Sequence, residues 1–440
     1  MSSINSESDV VVIGGGVSGL AAAAFLARSG KRVRLFEQSQ TLGGRAQTSH
    51  RNGFHLNLGP HALYRGGRGI EILRELGIEP KGRVPAVSGA FAIRNGVKHT
   101  FPAGVVSLLT TSLFGLSAKL EAARLLSSLA KIDGNLYDGT TVREWLDQTL
   151  SHREVKDFVL AAFRVATYTN APELTSAGTA LEQLKKAFET SVLYLDGGWE
   201  TLVNGLRDAA AKSGVSIETG AKVKSVGRDP SGAIDSVRTA DGTVFRTPVV
   251  VVASSPLAAV SILENGGRTS LSHWVDQSIP VKAACLDVAL NNLPRSKATF
   301  ALGIDRPLYL SVHSAAAQLA PEGAALVHVA KYLPPDNDES PEQVERELES
   351  LLDLVQPGWR DAIVHRRFLP DMIVMNSLPL AAHNGAHGRP GPEVADVKGL
   401  YVAGDWVGSE GLLVDASLNS AKEAAALIAA EHSARVAVGR

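Results

Sequence analysis

Asp9 to Ile13 is a β-branched run that leads directly into Gly14-Gly-Gly16-Val17-Ser18-Gly19 and then an Ala/Leu-rich stretch ending at Arg28. Such a run reads as a buried parallel strand, and Val17 to Arg28 as a helix. The spacing G-x-G-x-x-G between strand and helix restricts what can be built there. Gly14 permits the tight turn, Gly16 lets backbone approach a pyrophosphate, and Gly19 lets the helix pack closely on the sheet. The first turn, with Val17 and Ser18, offers free N–H groups and the positive end of a helix dipole to phosphate oxygens. Arg32 to Glu37 reads as a second strand, followed by Gln38. Glu37 is placed to accept from adenosine ribose hydroxyls, and its charge argues against the extra phosphate of NADP. NAD and FAD share this ADP half, so the cradle alone does not separate them.

A chain of 440 residues accommodates two or three domain-sized units. A net charge of -1 gives no electrostatic case for nucleic acid. The single cysteine, Cys285, excludes an internal disulfide and any site built from several cysteines. It sits in a strand-like run and reads as a buried thiol. Met1 to Ser8 lacks a basic region followed by an apolar one, and no apolar run approaches the ~18–20 residues of a membrane-spanning helix. The expected compartment is the cytoplasm. Val105 to Leu116 is apolar and reads as a core helix, with peripheral membrane contact as the other reading.

Along the chain, Val87–Ile93 and Val97–Phe101 read as strands around Asn95-Gly96. Val105 to Lys131 and Thr141 to Phe163 read as helical, continuing through Leu181 to Ala187. A helix begins after Gly197-Gly198 and ends near Gly214. Strands follow at 215–218, 221–228, 234–239, 244–246 and 249–253. A second excursion holds strands at 283–290, 309–313 and 325–332 and a helix from Pro341 to Val355. Leu400 to Ala403 returns to a buried strand, and Asp415 to Glu431 reads as an Ala-rich helix.

Three further segments carry a family likeness: Thr41-Leu-Gly43-Gly44-Arg45-Ala, Asn57-Leu-Gly59-Pro60-His61, and Gly399-Leu-Tyr-Val-Ala-Gly404-Asp405-Trp406 through Ala426. In this order they resemble the flavin amine oxidase and phytoene desaturase superfamily, which includes protoporphyrinogen oxidases. The closing segment is most similar to phytoene-dehydrogenase-related bacterial proteins. The resemblance implies FAD. It implies an α/β fold in which a Rossmann-like FAD-binding domain (1–84, 215–259, 388–440) is interleaved with a mixed α/β substrate-binding domain (85–214, 260–387). It implies that Gly43, Gly44 and Arg45 line the cofactor, with Arg45 near the phosphates or ribityl chain. Gly59, Pro60 and His61 would run beside the isoalloxazine, Val223 would meet the adenine through its backbone, and Gly404-Asp405 would reach the ribityl chain. Val414 and Asp415 would open a helix aimed at the flavin, its dipole favouring the negative charge of the reduced ring.

The chain departs from better-known members in ways that shape the expectation. No cysteine lies near Gly404, so FAD is expected to be noncovalent. Amine oxidases often place two aromatic residues before the flavin, and only Tyr401 and Trp406 lie in the closing segment here. No second strand–G-x-G-x-x-G–helix unit exists to take NAD(P)H, so the acceptor is expected to be oxygen or a quinone. The expected reaction is removal of hydride from a lipophilic small molecule, with C–C desaturation of a polyene first. Amine oxidation or porphyrinogen oxidation is the alternative, and a flavin-binding protein without turnover is a third reading. No catalytic residue is assigned. Tyr168, Arg164 and Lys282 are candidates to line the substrate cavity, Lys282 also fitting a strand-edge surface lysine. The histidines show no H-E-x-x-H or H-x-H pattern, and no metal site is expected.

Overall fold

The computed structural model describes residues 8–87, 89–264 and 266–431, together with the backbone of 4–5 and 432–438. The expectation for the first eight residues therefore lies almost wholly outside the described residues.

A five-stranded sheet carries the cradle. Its order is Ser216–Glu218, Val33–Phe36, Val10–Ile13, Val250–Val252, Leu400–Val402, and every pairing is parallel. Val10 to Ile13 and Val250 to Val252 are buried along their length, as β-branched strands covered on both faces must be. One face packs against the helices Val17–Arg28, Glu200–Lys212 and the start of Leu413–Val438, through Leu20, Ala24, Leu206, Leu418 and Ala421. The other face is closed by Phe245, Val226, Val237 and Trp406. The helix Glu200–Lys212 thus packs on the cradle helix, although the sequence boundaries group it with the substrate region.

The second sheet has seven strands in the order Ile363–Met375, Val281–Leu290, Ala325–Leu333, Leu308–Val312, Phe300–Gly303, Ala90–Arg94, Val97–Thr100. Its residues alternate between faces with a period of two. Ala284, Leu286, Val288 and Leu290 pack on the helix Pro341–Val355. Cys285, Tyr309, Ala330 and Tyr332 face a wall of four helices, Leu116–Ser128, Val142–Thr149, Arg153–Thr167 and Ala177–Thr190.

Local polar chemistry breaks the long helical stretches that hydrophobicity suggested. Val105–Thr110 ends where the Thr111 hydroxyl donates to Thr100 O and accepts from Leu113 N; the helix resumes only after Gly115. Between Val142–Thr149 and Arg153–Thr167, the Glu121 carboxylate takes the N–H groups of Ser151 and His152. Two strand regions lie outside the expected elements, although Asn52-Gly53 is a hairpin signal of the same kind as Asn95-Gly96. Ile363–Met375 sits at a sheet edge, where the missing N–H of Pro370 does no harm. Thr48–Arg51 and Phe54–Asn57 form a hairpin around Asn52 (φ 49) and Gly53 (φ 82), the left-handed pair of a two-residue turn. Among the described residues, no helix is long and apolar enough to cross a membrane.

Candidate flavin and substrate site

The cradle glycines differ in what a side chain would meet. A Cβ on Gly14 (φ +109) would lie 2.4 Å from Ala253 O, and one on Gly19 would lie 1.8 Å from Gly14 O. Both are places where backbone touches backbone. A Cβ on Gly16 would meet nothing within 4 Å, so this side of the turn is open. Gly16 caps the helix without a side-chain hydrogen bond, which leaves the amides of the Val17–Ser18 turn uncapped by any side chain. Glu37 accepts from Gly15 N at 2.7 Å and from Ser39 N at 2.8 Å, which fixes its carboxylate beside the turn. Gln38 follows it at the surface. Ala221 N donates to Glu37 O at 2.9 Å, so the strand holding Val223 starts at the same edge.

The Gly-rich loop docks onto this turn: Gly43 N donates to Gly15 O at 2.8 Å, and Gly44 follows at φ +54. Arg45 Nη1 then donates to Asp405 Oδ2 and to Val374 O, each at 2.7 Å. Asp405 is 1% exposed and also accepts from Asn376 N (3.2 Å) and Nδ2 (2.8 Å). Gly404 N donates to Ser420 Oγ at 3.0 Å, which seats this loop on the C-terminal helix. Arg389, absent from the sequence expectation like Asn376, donates to Asp405 O and Gly411 O, and burial draws its pKa down to about 10. The helix opens at Leu413, in a left-handed conformation (φ 56), two residues ahead of the expected start, with Val414 buried. Asp415 does not stand free at the flavin end. Its Oδ1 accepts from Gly69 N, Oδ2 has no hydrogen-bond partner, and burial raises its pKa to about 6.

Gly59, Pro60 and His61 run between the two sheets. His61 Nδ1 lies 3.1 Å from Gly59 O and Nε2 3.2 Å from Arg45 O. Burial outweighs these carbonyls and lowers its pKa to about 4, so the ring is neutral at pH 7. Trp199 meets it edge-on at 4.9 Å. Tyr168, in a left-handed helix cap (φ 61), donates its hydroxyl to Pro60 O at 3.2 Å and meets Tyr332 edge-on. Arg164, one turn earlier, donates to Asn170 Oδ1 at 2.8 Å, and Asn170 donates to Tyr332 O. Burial brings the Arg164 pKa down to about 10.

Behind Gly59 lies a buried polar cluster that sequence reading did not single out. A Cβ on Gly59 would lie 3.5 Å from Cys285 Cβ, so the cysteine, distant in sequence from Gly404, is close to the Gly59 segment. Its thiol donates to Asp287 Oδ1 at 3.1 Å, and burial raises its pKa well above the usual thiol value. A protonated, buried thiol is a poor nucleophile toward a flavin ring. Burial opposes the charge of Asp287, but His328 (2.5 Å) and Arg367 (2.5 Å) outweigh it and hold the carboxyl below its ordinary value. Arg367 also donates to Asn57 O and to Ser49 Oγ, tying the cluster to the segment that leads into Gly59. An aspartate inside an otherwise apolar buried strand was the one available signal.

Lys282 lies on the opposite face from Cys285 and pairs with Asp371 at 2.9 Å, as a surface lysine does. Tyr401 donates to Glu431 and Trp406 to Ser254 O; they pack in different cores and form no aromatic pair. His387 pairs with Asp138 at 2.6 Å at the surface.

An open turn at Gly16, an uncapped helix start and a carboxylate at the ribose position fit an ADP-bearing cofactor, and the convergence of Arg45 and Asp405 fits its extension toward a flavin. The fold and site define a dinucleotide-binding protein. The model of the family described as flavin containing amine oxidoreductase matches residues 17–280, and the chain belongs to that family. The family description is that of a flavin-containing protein, and the residues gathered around the cradle fit FAD as the cofactor. Coproporphyrinogen III oxidase of Bacillus subtilis is 32% identical over 129 residues, covering 26% of this chain and 27% of that protein. The 4,4'-diaponeurosporene oxygenase of Staphylococcus aureus is 25% identical over 262 residues, covering 49% of this chain and 50% of that protein. The chain thus spans half or less of the length of the curated relatives it matches. An oxidoreductase from Methanosarcina mazei has the same fold, with a TM-score of 0.73 at 20% identity, covering 94% of this chain and 98% of that one.

Proposed function

We propose that the chain removes hydride from a lipophilic small molecule, with C–C desaturation of a polyene as the reaction. The observation that carries this reading is the wall facing the Gly59–His61 segment. Tyr168, Tyr332, Tyr309, Leu369, Met372 and Phe158 belong to one continuous apolar cluster, which reaches the segment where Tyr168 meets Pro60 and Met372 lies beside Gly59. Bound FAD would supply the two-electron acceptor, with oxygen or a quinone as the proposed onward acceptor. The chain's residues position and exclude water. Tyr168 fixes Pro60, neutral His61 donates its single N–H to one of Gly59 O and Arg45 O, and the apolar cluster favours an uncharged substrate. Gly14, Gly16, Val17, Ser18, Gly19, Glu37, Gln38 and Val223 hold the ADP half in this reading. Gly43, Gly44, Arg45, Gly404, Asp405 and Val414 hold the ribityl and flavin portion, beside Gly59, Pro60 and His61.

We read 1–84, 215–259 and 388–440 as the FAD-binding domain and 85–214 and 260–387 as the substrate domain. The membership of the two large sheets supports this division, except that the helix Glu200–Lys212 packs in the core of the FAD-binding side. Val105, Val106, Leu109, Leu116 and Leu120 are exposed on the outer side of the substrate-domain helices, which supports peripheral membrane contact during substrate capture. Amine oxidation is the second reading, favoured by the family description. Anaerobic addition of polyenes in micelles, porphyrinogens and amines, with the oxidised-flavin band followed, tests the choice. Bleaching by polyenes alone supports desaturation, and bleaching by amines alone replaces it.

A further inference from the structure

The hairpin Thr48–Arg51/Phe54–Asn57 sets His50 and His55 directly opposite each other. They are the second pair from a two-residue turn, a non-hydrogen-bonded position where side chains are closest. His55 N donates outside the hairpin, to Leu319 O at 2.9 Å, as that position requires. The two rings stand 4.7 Å apart. Glu200, the first residue of the helix Glu200–Lys212, brings a carboxylate oxygen to 2.7 Å from His50 Nε2 and 3.9 Å from His55 Nδ1.

We propose that His50, His55 and Glu200 bind one divalent transition-metal ion of the zinc class. Two imidazoles and one carboxylate form a ligand set that zinc accepts, with a fourth position left to water. The three ligand atoms lie within 4.8 Å of one another. Tetrahedral ligands at about 2.0–2.1 Å from an ion are roughly 3.3 Å apart, inside the observed spread. His55 Nδ1 is buried and has no hydrogen-bond partner, although it faces Glu200. A plain His50–Glu200 ion pair leaves that nitrogen unexplained, whereas a shared ion uses it. The backbone frame is fixed in advance. Thr48 Oγ1 accepts from Glu200 N at 3.0 Å, Asn57 Oδ1 accepts from Trp199 N at 3.0 Å, and Thr48 donates to Asn57 at 2.8 Å. His50 is 54% exposed, so an ion reaches the site from solvent. The buried trio Cys285, Asp287 and His328 is also close-set, but the Arg367 guanidinium already supplies the cation at Asp287.

Sequence spacing concealed this site because only the turn brings the two histidines together. A bound ion joins the hairpin leading to Gly59 with the helix start that follows Trp199, so it braces the segments that carry two of the three contacts of His61. The test is a calorimetric zinc titration of the tag-free holoenzyme at neutral pH. The expected result is one ion per chain, with at least a tenfold loss of affinity in His50→Gln and in Glu200→Gln. His273→Gln, at a distant exposed position, should bind as the parent does. Flavin absorbance and zinc-free melting of His50→Gln, a surface change, verify its folding. Zinc should raise the melting temperature of the parent but not of His50→Gln. No uptake by the parent, or undiminished affinity in His50→Gln, overturns the proposal.

Discussion

Arg45 Nη1 and Asp405 Oδ2 lie 2.7 Å apart across 360 positions of sequence, and this contact joins the Gly-rich loop to the closing loop of the chain. Asp405 is buried while the Arg45 side chain is 43% exposed, so the guanidinium closes the site from its outer side. Asp405→Asn keeps the shape but removes the charge that aligns Arg45 and the Asn376 amide. The expected outcome is FAD binding at least tenfold weaker, in line with the ~1.5–3 kcal/mol of a charged hydrogen bond. Flavin release on ultrafiltration measures it.

The Asp415 carboxyl is raised from 3.8 to about 6 by burial. A group protonated more readily in the folded state contributes stability that is complete below its unfolded pKa and is lost as pH rises through the folded value. The parent should therefore lose stability relative to Asp415→Asn between about pH 4 and 6, by roughly 2–3 kcal/mol. Denaturant melts of both proteins across that range read the difference directly. Parallel curves would show that Asp415 does not titrate in this window.

Asp287 is the hub of the cluster behind Gly59. Asp287→Ala strands the Arg367 guanidinium and His328 in a buried place, and the expected loss is ~3–5 kcal/mol. Thermal melting of the holoenzyme tests this, and an unchanged melting temperature would contradict the assigned burial and pairing.

Tyr168→Phe removes the hydroxyl from Pro60 O while keeping the ring against Tyr332. Stability should fall by about 1 kcal/mol. Flavin should stay bound, and substrate-driven flavin reduction should slow as the Pro60 segment loosens.

The cradle was legible because its chemistry is local. One strand, one turn and one helix within 9–28 supply the glycines, and Glu37 comes from the next strand. The strands Ile234–Thr239 and Val244–Arg246 and the helix Pro341–Val355 likewise follow from periodicity and caps. What escaped depends on distant contacts. Asn376 and Arg389 matter only because the fold brings them to Asp405, and nothing in their own neighbourhoods marks them. The helix break at Thr111 depends on a carbonyl from another strand. The placement of Lys282 away from Cys285 follows from strand alternation, once the register is fixed by its neighbours.

The central claim is that this chain is an FAD enzyme that takes hydride from a lipophilic substrate. Its most direct test is the visible spectrum of the purified protein under anaerobic conditions, before and after a polyene is added in micelles. The expected result is a flavin band that bleaches with the polyene and returns with oxygen or a quinone. A flavin band that polyenes leave untouched while amines bleach it would contradict the substrate assignment. A colourless protein that gains no band from added FAD would contradict the cofactor site itself.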